Sequence, residues 1–121
     1  MHSSSSVLST DPRLNERCAW QCPAKIVTHL FSQVSAETHD LSLSGMSLHA
    51  RDPIALGASC TVGVLFLLGT DLCRLNVGAL CTSCTLQPDN GYRIGMQFEF
   101  LNATTRALIE NILNWQRGRV A

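Results

Sequence analysis

Charge is scarce in this sequence. Asp, Glu, Lys and Arg make up 15% of the 121 residues and cancel to a formal net charge of zero. No broad field draws the chain to nucleic acid or to an anionic membrane, so any anion site has to be built locally from a few placed arginines. Long apolar runs are also missing. The longest, Val62 to Leu68, is interrupted by Gly63 and falls far short of the roughly 20 residues that span a bilayer. The start, Met1-His2 followed by four serines, lacks the apolar stretch of an export leader. The expectation is a soluble, cytoplasmic protein with residues 1–11 as a flexible tail.

Chemistry-bearing clusters are few. Six cysteines are present, but a chain with 45% hydrophobic residues and no visible leader has no need of disulfide staples. They read as reduced thiols acting as small hydrophobes. Cys81 and Cys84 form a C-x-x-C, yet in a strand positions three apart face opposite sides and chelate poorly. Adding Cys18 and Cys22 gives an irregular zinc spacing. His29, His39 and His49 are scattered, and no motif pairs one of them with a nucleophile. No catalytic residue, metal or cofactor is expected, and the chain does not read as an enzyme.

What is present is a series of short apolar alternations. Ala24 to Ser32 is rich in β-branched residues and reads as a strand. Thr38 to His49 carries Leu41, Leu43, Met46 and Leu48, with Gly45 as a bulge or bend. Ser59 to Leu68 places Cys60, Val62, Val64, Phe66 and Leu68 on one face. Leu72 to Leu86 points Cys73, Leu75, Val77, Ala79 and Cys81 inward. Gln87-Pro88-Asp89-Asn90-Gly91 is a hairpin turn. In Tyr92 to Phe100, Tyr92, Ile94, Met96, Phe98 and Phe100 point inward, and Arg93, Gly95, Gln97 and Glu99 point the other way. The period then lengthens: Leu108, Ile109, Ile112 and Leu113 recur at helical spacing from about 103 to 117, with Asn102 or Thr104 as cap. Short strands without intervening helices argue antiparallel pairing in a small barrel, with the helix over one open end.

Two patterns precede and interrupt the strands. Arg13-Leu14-Asn15-Glu16-Arg17 sets two arginines four apart on an arm that ends at Pro23. Asp40-Leu41-Ser42-Leu43-Ser44-Gly45 reads D-x-S-x-x-G. An arginine fork bonds two acceptors at once and stacks on a base, and it suits guanine O6 and N7. A carboxylate accepts from guanine N1–H and N2–H. Ser42, two residues on from Asp40, faces the same side of a strand, where its hydroxyl bonds a base or a phosphate, and a glycine permits close approach. Taken singly, the arginines read as solvated side chains near a terminus and Asp40 to Gly45 as an ordinary turn or bulge.

In this order, with Arg17 standing 23 positions before Asp40, the two motifs resemble those of the PilZ domain family. Pro23 and the later stretch Gly91-Tyr92-Arg93-Ile94-Gly95-Met96-Gln97-Phe98 resemble the family's run into its first strand and its late strand. Pairing Arg17 with Gln21 instead would shorten the spacing and displace Pro23. The resemblance covers residues 12–117, an arm of 12–23 included. It implies an all-β dominated fold: a six-stranded antiparallel, split or Greek-key-like barrel with a C-terminal helix. It also implies a bacterial second-messenger receptor for cyclic di-GMP, with Arg13, Arg17, Asp40, Ser42 and Gly45 as the binding residues. Ligand-induced ordering of the arm would signal to an unidentified downstream protein in motility, adhesion or exopolysaccharide output, without DNA, RNA or membrane insertion. The alternative is an adaptor of the same fold that works through constitutive protein contacts and binds no dinucleotide. Two departures are visible: Pro12 and Leu14 flank the first arginine in place of further basic residues, and Leu80 to Thr85 carries no aromatic to stack on a ligand.

Overall fold

The computed structural model describes residues 16–120, with side chains through Gly118. Its elements are β1 (Cys18–Ala19), β2 (Pro23–Thr28), β3 (Gln33–Leu41), β4 (Gly45–Ala50), β5 (Ser59–Leu68), β6 (Asp71–Leu86), β7 (Tyr92–Phe98) and α1 (Ala103–Val120). Neighbours run β3–β2–β5–β6–β7–β4, and β4 pairs back with β3. Every pairing is antiparallel, so six strands close a barrel. The two-residue β1 lies on β3 beyond the end of β2.

Alternation explains the inside of the barrel. Along β5, Cys60, Val62, Val64 and Phe66 are buried while Ser59, Thr61, Leu65 and Leu67 face out. Leu75, Val77, Ala79 and Cys81 of β6 and Ile94, Met96 and Phe98 of β7 meet them. Met46 and Leu48 come from β4, and Ile26 from β2. Ile109, Ile112 and Leu113 of α1 are fully buried, so the helix stripe closes one end. Asn102 starts the helix: its Oδ1 accepts from the Thr105 amide at 2.8 Å and its carbonyl from Arg106 at 2.9 Å. Such a cap is worth about 1 kcal/mol. Trp20 is a core residue, set edge-on to Phe66 at 5.5 Å between centroids.

Four boundaries differ from the sequence reading. The first long strand stops at Thr28, because Phe31 takes a positive φ of 64° and the chain reverses through Leu30 and Phe31. The stretch read as one bent strand over 38–49 is the hairpin of β3 and β4, turning at Ser42-Leu43-Ser44. Strand β7 ends at Phe98, which leaves Phe100 exposed. The helix continues past 117 to Val120. The Asn-Gly turn places its positive φ, 68°, on Asn90.

Candidate functional site

Strand β1 exists because β3 outruns β2. The register sets Ala19 opposite Asp40 and Cys18 opposite Leu41. Buried Thr38 fastens the same stretch: its hydroxyl donates to the Trp20 carbonyl and accepts from the Cys22 amide at 2.9 Å. Backbone bonds from Thr38 N to the Cys22 carbonyl and from Trp20 N to the His39 carbonyl complete the stitching. Pairing with β4 slips between Thr38 and Asp40. That bulge keeps Thr38 inside and turns Asp40 out against Ser47.

Arg17 and Asp40 therefore meet. Arg17 Nη1 donates to Asp40 Oδ1 at 2.6 Å, with the two side chains 48% and 21% exposed. A pair this open to water is worth about 0–1 kcal/mol, so an incoming ligand can replace it at little cost. Ser42 lies elsewhere than its spacing suggests. Past the end of β3 it is fully buried, and its Oγ accepts from the Ser44 and Gly45 amides at 3.2 Å each. Its own amide donates to the Gly45 carbonyl at 2.8 Å. Its hydroxyl builds the turn beneath Asp40, and is not ranged alongside Asp40 on the outer surface. Gly45 is needed for strand packing: a Cβ there would stand 2.1 Å from the Met96 carbonyl oxygen. The structure thus brings Arg17, Asp40, Ser42 and Gly45 to one corner of the barrel. Arg13 and the tail over 1–11 lie outside the described residues.

The C-terminal helix holds the arm from its other side. Gln116 Nε2 donates to the Ala19 carbonyl at 2.7 Å, and Arg117 pairs with Glu16. Between arm, helix and barrel wall lies a hollow of about 380 Å³, bordered by Gln21, Glu37, His39, His49 and Gln116. Larger concavities lie over the outer faces of β2 and β5, about 600 Å³, and at the β5–β6 tip beside Leu65, Leu67 and Leu72, about 690 Å³. None of these three concavities is lined by Arg17 or Asp40, and the corner is marked by the pairing of the two motif residues and not by volume. The ties that Thr38 and Gln116 make to the arm escape the sequence reading, because neither a threonine in a strand nor a glutamine at the end of a helix stripe announces its partner.

Thiol chemistry finds little support. All six cysteines are unpaired. Burial pushes the Cys22, Cys60 and Cys81 thiols up, away from the thiolate a nucleophile needs. Among the described residues no group of three or more His, Cys, Asp and Glu side chains is placed to hold a metal ion, and no helix is long and apolar enough to cross a membrane.

Comparison with known proteins agrees with this architecture. No curated protein matches the chain. Among solved structures, the PilZ domain of YcgR from Escherichia coli with c-di-GMP superposes with a TM-score of 0.71 at 15% identity, over 87% of this chain and 91% of that one. The inhibitor of motility MotI/DgrA of Bacillus subtilis gives 0.70 at 10% identity over 86% of this chain, which spans 49% of that protein. The PlzA protein of Borreliella burgdorferi, in complex with c-di-GMP, gives 0.60 at 14% identity over 88% and 43%. At these identities the likeness is one of fold. The family model for the PilZ domain matches residues 11–115, and with its closed six-stranded barrel and C-terminal helix the chain belongs to the PilZ domain family.

Proposed function

We propose that this chain is a receptor for cyclic di-GMP and that the dinucleotide binds at the corner where Arg17 meets Asp40. The ion pair between Arg17, just before β1, and Asp40 of β3 carries the reading. It places an arginine fork and a carboxylate side by side on an exposed face, the two groups that read the acceptor and donor edges of guanine. Two of the structural neighbours hold c-di-GMP, which supports the same choice of ligand. In this reading Arg17 turns from Asp40 to the ligand. Asp40, released, accepts from guanine N1–H and N2–H. Ser42 and Gly45 act by shaping the turn that presents Asp40. Arg13, four residues earlier, is the second arginine that this reading assigns to the ligand.

Ordering of the arm on ligand binding is part of this reading. From Glu16 onward the arm is already held by Arg117, Gln116 and Thr38. Fixing a residue costs roughly 1–2 kcal/mol, and for this part that cost is met in the protein itself. Output then passes to a partner protein through the arm and the end of α1. The same pre-held arm favours a second reading, an adaptor that keeps this surface without ligand.

Titration calorimetry with cyclic di-GMP, using GTP as control, separates the two. Micromolar binding by the parent and its loss in Arg17→Ala and Asp40→Ala is the expected result. Silence up to about 100 μM with an intact fold would sink the receptor and leave the adaptor.

A further inference from the structure

We propose that Arg93, beside Ser47 and His49 on the outer face of β4 and β7, is a further cationic contact for the dinucleotide. It takes acceptor atoms of the half farther from Asp40, either phosphodiester oxygens or guanine O6 and N7. This rests on the reading of the Arg17–Asp40 corner as the cyclic di-GMP site.

Strand register builds the surface. One row across it runs Asp40, Ser47, Gly95; the next runs Glu37, His49, Arg93. Met46, Leu48, Ile94 and Met96 are buried in the barrel, so by alternation Ser47, His49, Arg93 and Gly95 belong to the outside. Arg93 is two strands across and two residues along from Asp40, about 12 Å by strand spacing and rise. Gly95 puts no side chain on the floor between them. Ser47 stands opposite Asp40, and His49 lies two residues along the same strand, so the surface is continuous with the corner.

The hydrogen bonding of this surface is incomplete. Ser47 Oγ, His49 Nε2 and Arg93 Nε are the buried side-chain polar atoms without a hydrogen-bond partner among the described residues. Three unmet groups on adjoining strands, two of them facing each other in register, form one patch. His49 Nε2 stands 3.0 Å from Asp89 Oδ2, close enough for an ion pair but without hydrogen-bond alignment. Arg17, Arg106 and Arg117 each have a carboxylate partner, and Arg93 has none among the described residues. Arg51 and Arg74 also lack one but stand exposed, whereas Arg93 is half-buried. The nearby carboxylates are engaged, Glu37 with Gln21 at 3.1 Å and Asp89 with the Gly91 amide at 2.9 Å. A half-buried guanidinium without an internal counter-charge, next to unmet polar groups, is stabilised by an anionic, acceptor-rich ligand laid across it. The sequence reading placed Arg93 only among outward residues of a late strand, because its relation to Asp40 appears only once β4 is inserted between β3 and β7.

Calorimetry with cyclic di-GMP on the parent, Asp40→Ala, Arg93→Gln and Arg93→Lys tests this. The expected result is a five- to hundredfold weaker affinity for Arg93→Gln at unchanged melting temperature, about the range of one well-formed arginine fork. Arg93→Lys restores most of the affinity where the contact is phosphate and none where it is a guanine fork. Arg93→Gln binding within about twofold of the parent, while Asp40→Ala binds nothing, would overturn this proposal and leave the receptor reading intact. A parent that binds nothing overturns both. Nuclear magnetic resonance of the unaltered protein avoids any folding defect in the variants. The Arg93 Nε–H resonance shifts on saturation if the contact is made, and an unmoved resonance refutes it.

Discussion

The side-chain amide of Gln116 and the backbone carbonyl of Ala19 lie 2.7 Å apart, although 97 residues separate them along the chain. One turn of helix end thereby holds the strand that carries the arm. A single exposed hydrogen bond contributes about 0.5–1.5 kcal/mol net, so Gln116→Ala is expected to lower the melting temperature by only a few degrees. Its larger effect falls on the arm. Hydrogen exchange of the Ala19 to Gln21 amides is expected to quicken without loss of the barrel and, on the proposed receptor reading, cyclic di-GMP affinity to fall. Unchanged exchange in this variant would detach the helix from the arm.

Thr38 makes a second prediction. Thr38→Val keeps the shape and removes the hydroxyl that joins the Trp20 carbonyl to the Cys22 amide. Leaving buried polar groups unpaired costs about 1–3 kcal/mol. Chemical denaturation is expected to show a loss in that range, with faster exchange at Cys22.

Two glycines of the outer wall are expected to differ sharply. Gly45→Ala drives a methyl group to 2.1 Å from the Met96 carbonyl oxygen, and backbone can yield only by parting β4 from β7. Overpacking of this kind costs about 1–3 kcal/mol or more. Gly95→Ala meets the Ser83 hydroxyl at 2.4 Å, a side-chain atom. Its loss is expected to be smaller and to be relieved in the double variant Gly95→Ala, Ser83→Ala. Thermal melting of the three proteins decides the order.

Acid stability carries a fourth prediction. The Gly91 amide, bonded to Asp89 Oδ1 at 2.9 Å, and then His49 beside it hold the Asp89 carboxyl below its ordinary value of 3.8. A carboxyl lowered in the folded state contributes stability above its unfolded pKa, and that contribution is lost as pH falls through the folded value. Asp89→Asn is therefore expected to melt earlier than the parent at neutral pH. The gap should narrow below about pH 4, near the unfolded aspartate value. A gap that stays constant into acid would assign the effect to the turn alone.

The parts of this fold that were legible in sequence are those written in local periodicity. Val62, Val64 and Phe66 alternate, Ile109, Ile112 and Leu113 recur at helical spacing, and the structure buries all of them. The β3–β4 hairpin was not legible, because Ser42 closes its turn with hydroxyl-to-amide bonds where an Asn-Gly or a proline would have announced it. Asp40 and Arg17 stood out by their spacing. The tie from Gln116 and the neighbourhood of Arg93 depend on which strands lie side by side, and no window along the chain contains both partners.

The return of β4 onto β3 also limits how another protein can take hold. A ring of six paired strands exposes no long free margin of backbone amides and carbonyls, so a partner has little to gain by adding a strand of its own. Recognition has to be made by side chains. Those standing out from the wall and from α1 include Leu67 and Leu72 at the β5–β6 tip and Trp115 on the helix. The specificity of any such contact would then reside in a few apolar side chains and be open to change by single substitutions that leave the barrel untouched.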